Sequence, residues 1–321
     1  MTLDLGPALA EPFVGLDPAA VADLGPMMRG KVRDVIDLGD EVALIATDRI
    51  SAFDHVLGTV PYRGQVLNQL AAWWFERIDD LVPSHVHSVP DPNVTIGRKC
   101  KTLPVEVVVR GRLSGSTSTS LWTKYAAGAR TIYGLDFPDG MQKNDALPDA
   151  IITPTTKAEQ GSHDEPITER EIIERGLVSA QLWDQVRTTA LSVFARGVEV
   201  AAAAGLVLVD TKYEFGIDAS GALTIIDEVH TPDSSRFWRA STVENRRDAG
   251  EEPENLDKEY VRLAYARDGY RGDGDPPPLR RELAIEAAGV YQETFAALTA
   301  STFTPAVYPV APRVEAALRA R

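Results

Sequence analysis

Val207-Leu-Val-Asp210-Thr-Lys212-Tyr-Glu214-Phe-Gly216, followed by Ile225-Ile-Asp227-Glu228-Val-His-Thr-Pro-Asp233-Ser-Ser-Arg236-Phe-Trp238, decides how this chain is read. Both segments open with apolar β-formers. Asp218-Ala-Ser-Gly221 between them is turn chemistry, so the pair reads as a β-hairpin. A four-residue loop over Asp218 to Gly221 would set Lys212 opposite Asp227 and Glu214 opposite Ile225. Side chains alternate along a strand, so Asp210, Lys212, Glu214 and Asp227 would share one face. Carboxylate oxygens so arranged suit a hard divalent cation, and Mg²⁺ usually arrives with substrate phosphates. A solvated face laced by weak surface salt bridges is the other reading, and these two segments alone leave both open.

The first third of the chain is strand-rich. Lys31 to Ile36 and Val42 to Thr47 flank Leu38-Gly-Asp40, a hairpin signal, and Val105 to Val109 reads as a further buried strand. Gln65 to Ile78 carries apolar residues near helical spacing. Arg110 to Ser120, rich in Gly, Ser and Thr, is the candidate hinge. Helices dominate the reading from there: Leu121 to Ala127, one opened by the capping box Thr168-x-x-Glu171, and a long amphipathic one from Ser179 to Ala204 closed by Gly205. Two more follow at Asp257 to Arg267 and Arg281 to Leu298, while residues 1–25 and 301–321 give mixed signals. Strands first, then helices around a central hairpin, predict an α+β fold and not a doubly wound βαβ sheet.

A chain of 321 residues exceeds the usual size of a single core, which favours two domains, here 1–115 and 116–321. The net charge of −14 argues against a broad nucleic-acid-binding face, yet a few converging Lys and Arg still permit an anionic small substrate. One cysteine, Cys100, forms no intrachain disulfide and favours a reducing compartment; its neighbours Lys99 and Lys101 would lower its pKa, although a lone cysteine by a strand is usually inert. No secretory signal is visible at the N-terminus. The longest apolar stretch, Val200 to Val209, is too short to span a bilayer. The expectation is a cytoplasmic protein with neither nucleic-acid nor membrane partners.

Gly30-Lys-Val-Arg-Asp34 precedes a strand pair, with Lys31 and Arg33 on one face for phosphates, but it lacks the Walker pattern, and read alone a basic strand edge accounts for it better. Glu106 interrupts an apolar strand, so it must be hydrogen-bonded, paired or solvent-facing. Arg110 with Ser114-Gly115-Ser116 reads either as a phosphate seat or as a flexible linker. Lys157, His163 and Asp164 lie in a polar loop where histidine is usually a surface residue. His55, His85, His87 and His230 are weaker candidates still. No Cys/His pattern has zinc spacing.

Taken together these segments resemble the SAICAR synthetase family. The resemblance is carried by the two opening blocks, by Gly30 to Asp34, Ala46-Thr-Asp-Arg-Ile-Ser-Ala-Phe-Asp54, Val105 to Ser116, Thr153 to Glu159 running on to Glu165, Leu256 to Arg262 and Pro276-Pro-Pro. It covers roughly residues 25 to 300 in the family's usual order. It implies a β-rich N-terminal domain, somewhat like a kinase small lobe, over a larger α+β domain with ATP between them. It also implies the ATP-dependent joining of L-aspartate to 5-amino-1-(5-phosphoribosyl)imidazole-4-carboxylate (CAIR). On this resemblance Gly30, Lys31, Val32 and Arg33 contact the triphosphate, and Glu106 and Val108 meet the adenine edge. Glu214 and Asp227 hold Mg²⁺, and Lys212 and Asp210 act at the reacting centre. Arg110, Ser114, Gly115, Ser116, Lys157, Asp164 and Arg236 hold the ribotide. Asp48 and Arg49 serve the amino-acid substrate or closure. The expected partners are small molecules, and the chain works as a monomer or small homo-oligomer. A small-molecule kinase and a nucleotide-sensing regulatory module are the competing functions.

Overall fold

The computed structural model describes residues 3–115, 120–157 and 165–321. The first sheet is built from Met27–Arg29 (β1), Arg33–Asp37 (β2) and Glu41–Ala46 (β3). After a separate hairpin of Arg49–Ala52 (β4) and His55–Thr59 (β5), Val86–Asp91 (β6) and Val94–Arg98 (β7) complete it, in the order β1-β2-β3-β7-β6. Alternation sorts its two faces. Ile36, Ala43, Ile45, Val94 and Ile96 pack on Phe13, Leu16, Val21 and the helix Val310–Arg319, whereas Arg33, Val42 and Leu44 face the other way.

The second sheet is six-stranded. Lys101–Arg112 (β8) lies between Ala146–Ile152 (β11) with Thr155–Thr156 (β12) on one edge and Leu206–Ile217 (β13) on the other. Leu223–Ile226 (β14) and Ser235–Arg239 (β15) pair with the two ends of β13. A small ribbon, Thr131–Ile132 (β9) with Leu135–Asp136 (β10), packs beside the helix Leu121–Ala126 in a satellite core around Leu113 and Tyr125. β8 thus belongs to the sheet of the later chain, although the Gly/Ser-rich stretch after it reads as a hinge.

The helices are Gly6–Ala10 (α1), Arg63–Arg77 (α2), Leu121–Ala126 (α3), Glu169–Glu174 (α4) and Ala180–Ala203 (α5), then Val243–Asp248 (α6), Glu259–Arg267 (α7), Arg281–Thr299 (α8) and Val310–Arg319 (α9). α5 forms where its caps predict: the Ser179 side chain accepts the Leu182 amide, and Gly205 follows at φ 72°, a value glycine takes at no steric cost. The capping box of α4 is present, with Thr168 and Glu171 reciprocally bonded. One face of the second sheet buries Val105, Val107, Val109, Tyr213 and Phe215 against Trp183, Val186, Val193 and Phe194 of α5 and Trp74 of α2. α7 and α8 close a third core over Ile50, Leu57 and Val60. Neither α9 nor the N-terminal wrap was legible in the mixed signals of the two ends.

The central hairpin corrects the expected register by one residue. Glu214 pairs with Ile226 and Phe215 with Ile225, around a five-residue loop, Asp218 to Ala222. Asp218 draws Ala222 into that loop: its Oδ1 accepts the amides of Ser220 (2.9 Å) and Ala222 (3.0 Å), while Gly221 takes φ 87°. A slip of one residue would put Asp227 on the opposite face from Glu214. Instead β14 stops at Ile226 and Asp227 adopts φ 71°, leaving the strand, and both carboxylates line one pocket.

Candidate active site

The site grows from the face of the second sheet opposite α5. Three cross-strand pairs of β8 and β13 lie in a row on it: Arg110 with Asp210, Val108 with Lys212, and Glu106 with Glu214. β15 adds Arg236 beside Asp210 on the other flank. A bulge brings this about. Leu208 pairs with Phe237 and Asp210 with Arg236, so Val209 is an extra residue in β13. Leu206 and Leu208 therefore sit in the core, and beyond the bulge Tyr213 and Phe215 do, leaving Asp210, Lys212 and Glu214 together on the polar face.

At one end of the row, Asp210 Oδ2 accepts from Arg110 Nη1 (2.8 Å) and Arg236 Nη1 (3.0 Å). Arg110 Nε also donates to Thr153 Oγ1 (2.9 Å), and Arg236 Nη1 to Ser114 Oγ (2.9 Å). Burial opposes the Arg236 charge, but Asp210, Glu259 and Asp257 outweigh it and hold its pKa above the ordinary value. Two guanidiniums converge here beside a hydroxyl, Arg236 also reaching Glu259 (3.6 Å), and forked donors so placed suit an anion such as a phosphate.

At the other end, Glu214 bonds Lys157 and takes a hydrogen bond from Lys212 Nζ (2.7 Å), which also donates to Glu106 (2.7 Å). Burial works against the Glu214 carboxylate, yet Lys212 and Lys157 bring its pKa down to about 2. Burial likewise opposes the Lys212 charge, and Glu214, Glu106 and Asp227 overcome it and raise the ammonium's pKa. Lys212 is thus charged, and Glu106 is paired as its apolar strand required. Across the cleft Arg33 bonds Asp227 (2.6 Å) and reaches Glu228 (3.0 Å). Glu214 and Asp227 share their pocket with Val42, Leu44, Ile226 and Cys100. Among the described residues no three-carboxylate or His/Cys cluster assembles. Two oxygen-donor side chains on one pocket suit Mg²⁺, which keeps waters and completes its shell with phosphates.

Several expected residues sit elsewhere. Lys31 and Arg33 do not share a face: Lys31 lies in the turn between β1 and β2 and bonds Asp54 (2.7 Å) at the surface. The backbone of Glu106 to Val108, expected at the adenine edge, is engaged on both flanks. Glu106 pairs with Thr155 and Glu214, and the Val108 carbonyl accepts the Thr153 amide (2.8 Å), because β8 is a central strand. Asp48 is buried away from the cleft, accepting the amides of Phe13 (3.0 Å) and Gly64 (3.2 Å) and the Tyr308 hydroxyl (2.7 Å); burial raises its pKa to about 6. Arg49 stands behind the Gly30 turn and bonds Asp34 (2.9 Å). Cys100 is raised by burial and not lowered, since Lys99 bonds Asp37 (2.6 Å). His85 and His230 are buried, which lowers them to about 4 and about 3. Ser116, His163 and Asp164 lie outside the described residues.

Two carboxylates were missed as site supports. Glu228 is buried against Arg33, and Asp233 joins Arg63 (2.6 Å), Lys258 (3.0 Å) and Tyr291 (3.1 Å) from α2, the segment before α7, and α8. Their clustering around Thr-Pro was the available signal.

Known proteins match both this architecture and the sequence. The SAICAR synthetase family pattern covers residues 26–276. The phosphoribosylaminoimidazole-succinocarboxamide synthase of Legionella pneumophila (strain Lens) is 50% identical over 281 residues, 87% of this chain and 89% of that one. The SAICAR synthase of Saccharomyces cerevisiae, solved in complex with SAICAR, superposes with a TM-score of 0.77 at 27% identity, covering 91% of this chain and 100% of that one. A SAICAR synthetase solved with ADP, 23% identical, shares the fold with a TM-score of 0.67, covering 87% of this chain and 100% of that one. The fold and site are those of an ATP-dependent carbon–nitrogen ligase. The chain belongs to the SAICAR synthetase family.

Proposed function

We infer that the family's reaction, ATP-dependent joining of L-aspartate to CAIR to give SAICAR, ADP and phosphate, proceeds here through an acyl phosphate made along the Asp210–Lys212–Glu214 row. A carboxylate is a poor acyl donor. A CAIR carboxylate oxygen therefore attacks the γ-phosphorus of ATP, the P–O bond to ADP breaks, and the aspartate amine then attacks the acyl carbon and expels phosphate as it loses its proton. Both steps build negative charge on oxygen, so positioning and neutralisation are the protein's main tasks.

The observation that carries this reading is the single strand face. It joins an arginine pair at Asp210 to a lysine pair at Glu214 through the charged Lys212. Arg110, Arg236, Ser114 and Gly115, with Ser116, form the seat for the ribotide phosphate. Lys212 faces the transferring phosphoryl group, and Asp210 holds the two arginines in place. Glu214 and Asp227 are the carboxylates that hold Mg²⁺, which supplies charge neutralisation on the phosphates. Glu214 also bonds Lys157, and Asp227 bonds Arg33. Nucleotide enters between the sheets. Gly30 to Arg33 meet its phosphates, and its base lies by Val42, Leu44 and Ile226, the apolar side chains of the pocket that Glu214 and Asp227 also line.

The N-terminal part of the chain covers nucleotide over the larger remainder, and the pairing of β8 to β13 moves the expected division between residues 115 and 116 to before Lys101. A cytoplasmic monomer or small homo-oligomer is proposed; among the described residues no helix is long and apolar enough to cross a membrane. ADP release, measured with CAIR, aspartate and divalent cation each omitted in turn, tests the function. Turnover without aspartate would make the chain a small-molecule kinase, and nucleotide binding without any turnover would make it a regulatory module.

A further inference from the structure

Arg49 is almost fully buried, and it spends its guanidinium on backbone carbonyls of the Gly30 turn. Nη2 donates to the Gly30 carbonyl (3.0 Å) and Nε to the Lys31 carbonyl (3.1 Å). The next carbonyl, that of Val32, accepts from the Thr47 hydroxyl (2.7 Å) and the Thr47 amide (3.2 Å). Three successive carbonyls are thereby turned into the protein. The amides of Lys31 and Val32 have no partner among the described contacts. Successive amides freed on one side of a turn make a concavity that binds anions.

The guanidinium is itself fixed from behind. Asp34, fully buried, accepts from Arg49 Nη2 (2.9 Å) and from the Leu16 amide (3.0 Å), and Arg49 Nη1 bonds the Val14 carbonyl. Gly15, at φ 120°, passes so close that a Cβ there would meet Asp34 Oδ2 at 2.3 Å and Arg49 Nη1 at 3.0 Å. A buried arginine bonded to three backbone carbonyls and one buried carboxylate is a costly device unless the backbone it holds has work to do.

We propose that Arg49, together with Thr47, positions the nucleotide: Arg49 holds the Gly30 and Lys31 carbonyls inward and Thr47 the Val32 carbonyl, so that the Lys31 and Val32 amides face the phosphates. The proposal rests on the reading that this turn meets the triphosphate. Arg49 touches no substrate itself. A lysine in its place keeps the charge and loses the fork that reaches two carbonyls at once.

The test is equilibrium binding of ADP and of adenosine to the full chain, for Arg49→Lys and for Lys31→Ala, alongside the Michaelis constants for CAIR and aspartate. Arg49→Lys is expected to weaken ADP about tenfold, the scale of one hydrogen bond to a charged group, and adenosine by less than about twofold. The constants for CAIR and aspartate should hold within about twofold. Equal losses for adenosine and ADP, or a lower melting temperature with unchanged ADP affinity, would reduce Arg49 to a structural residue and overturn the proposal. If Lys31→Ala weakens ADP and Arg49→Lys does not, the proposal fails while the turn remains the phosphate site. If neither variant weakens ADP, the turn is not that site and the proposal falls with it. Thr47→Val, close in volume, removes the hydroxyl on the Val32 carbonyl and supplies the same comparison should Arg49→Lys not fold; unchanged ADP affinity there also overturns the proposal.

Discussion

Glu106 and Glu214 face each other as a cross-strand pair, and one ammonium, that of Lys212, stands 2.7 Å from a carboxylate oxygen of each. Like charges directly opposite on neighbouring strands repel, and the lysine between them, with Lys157 on Glu214, offsets that repulsion. The same lysine faces the reacting phosphoryl group in the proposed mechanism, which ties local stability to turnover at one atom.

Lys212→Met should reduce turnover by about 10²-fold or more, the scale set by losing one charge-stabilising donor. It should also destabilise the fold in a pH-dependent way. Glu214 is depressed to about 2, so its contribution is present above the ordinary carboxylate range and lost as pH falls from about 4.5 toward 2. The stability gap between parent and variant should therefore narrow on acidification through that window. With 32% of the Lys212 side chain exposed, solvent screens part of the effect. Urea midpoints at neutral pH and near pH 3 measure it, and a constant gap would mean that Lys212 does not hold Glu214 ionised.

Asp227→Asn keeps shape and removes one charge. The variant should fold, because Arg33 retains Glu228, and it should lose turnover by about 10²-fold with a raised Mg²⁺ requirement. ADP release across a Mg²⁺ titration, read beside the melting temperature, decides this. Near-normal turnover at unchanged Mg²⁺ dependence would remove Asp227 from the metal site.

Arg236→Ala should weaken CAIR use more than ATP use. It deletes one of two guanidiniums on Asp210 and the partner of Ser114, a loss of about 2–5 kcal/mol if the phosphate is partly desolvated. Equal rises in all three Michaelis constants would count against a ribotide seat at this end of the row.

Asp48→Asn should flatten the pH dependence of stability. The native carboxyl titrates at about 6 and the unfolded one in the ordinary range near 4, so the native state binds the extra proton between those values. Stability in the parent thus falls as pH rises through that window. Denaturation midpoints from pH 4 to 7 should show a shallower decline in the variant, and parallel curves would refute the assignment.

Much of this arrangement is legible in residue order. Ser179 and Gly205 bound α5, Thr168 and Glu171 fix α4, and the alternation of Asp210, Lys212 and Glu214 announces a polar face. What escapes depends on contacts between distant segments. The hairpin register turned on one side-chain bond from Asp218 to Ala222, and the face of Asp227 on a single left-handed residue. Asp48 and Arg49 look like cleft residues because they follow a strand. Their partners Phe13, Val14 and Tyr308 come from ends of the chain with no clear pattern, which folding alone brings together.

The extra residue at Val209 makes chain length, in place of side-chain chemistry, the quantity that β13 must preserve. Val209 lies against Trp238 and Val243, and another aliphatic there would serve. Removing it would be another matter. Every residue on one side would exchange faces, carrying Lys212 and Glu214 toward α5 and Tyr213 toward the cleft, or else Leu206 and Leu208 out of the core. The Asp218–Ala222 loop, at the surface end of the same strand, can lengthen without changing which residues of β13 and β14 pair. Insertions should be far better tolerated in that loop than at Val209, nine residues before Asp218.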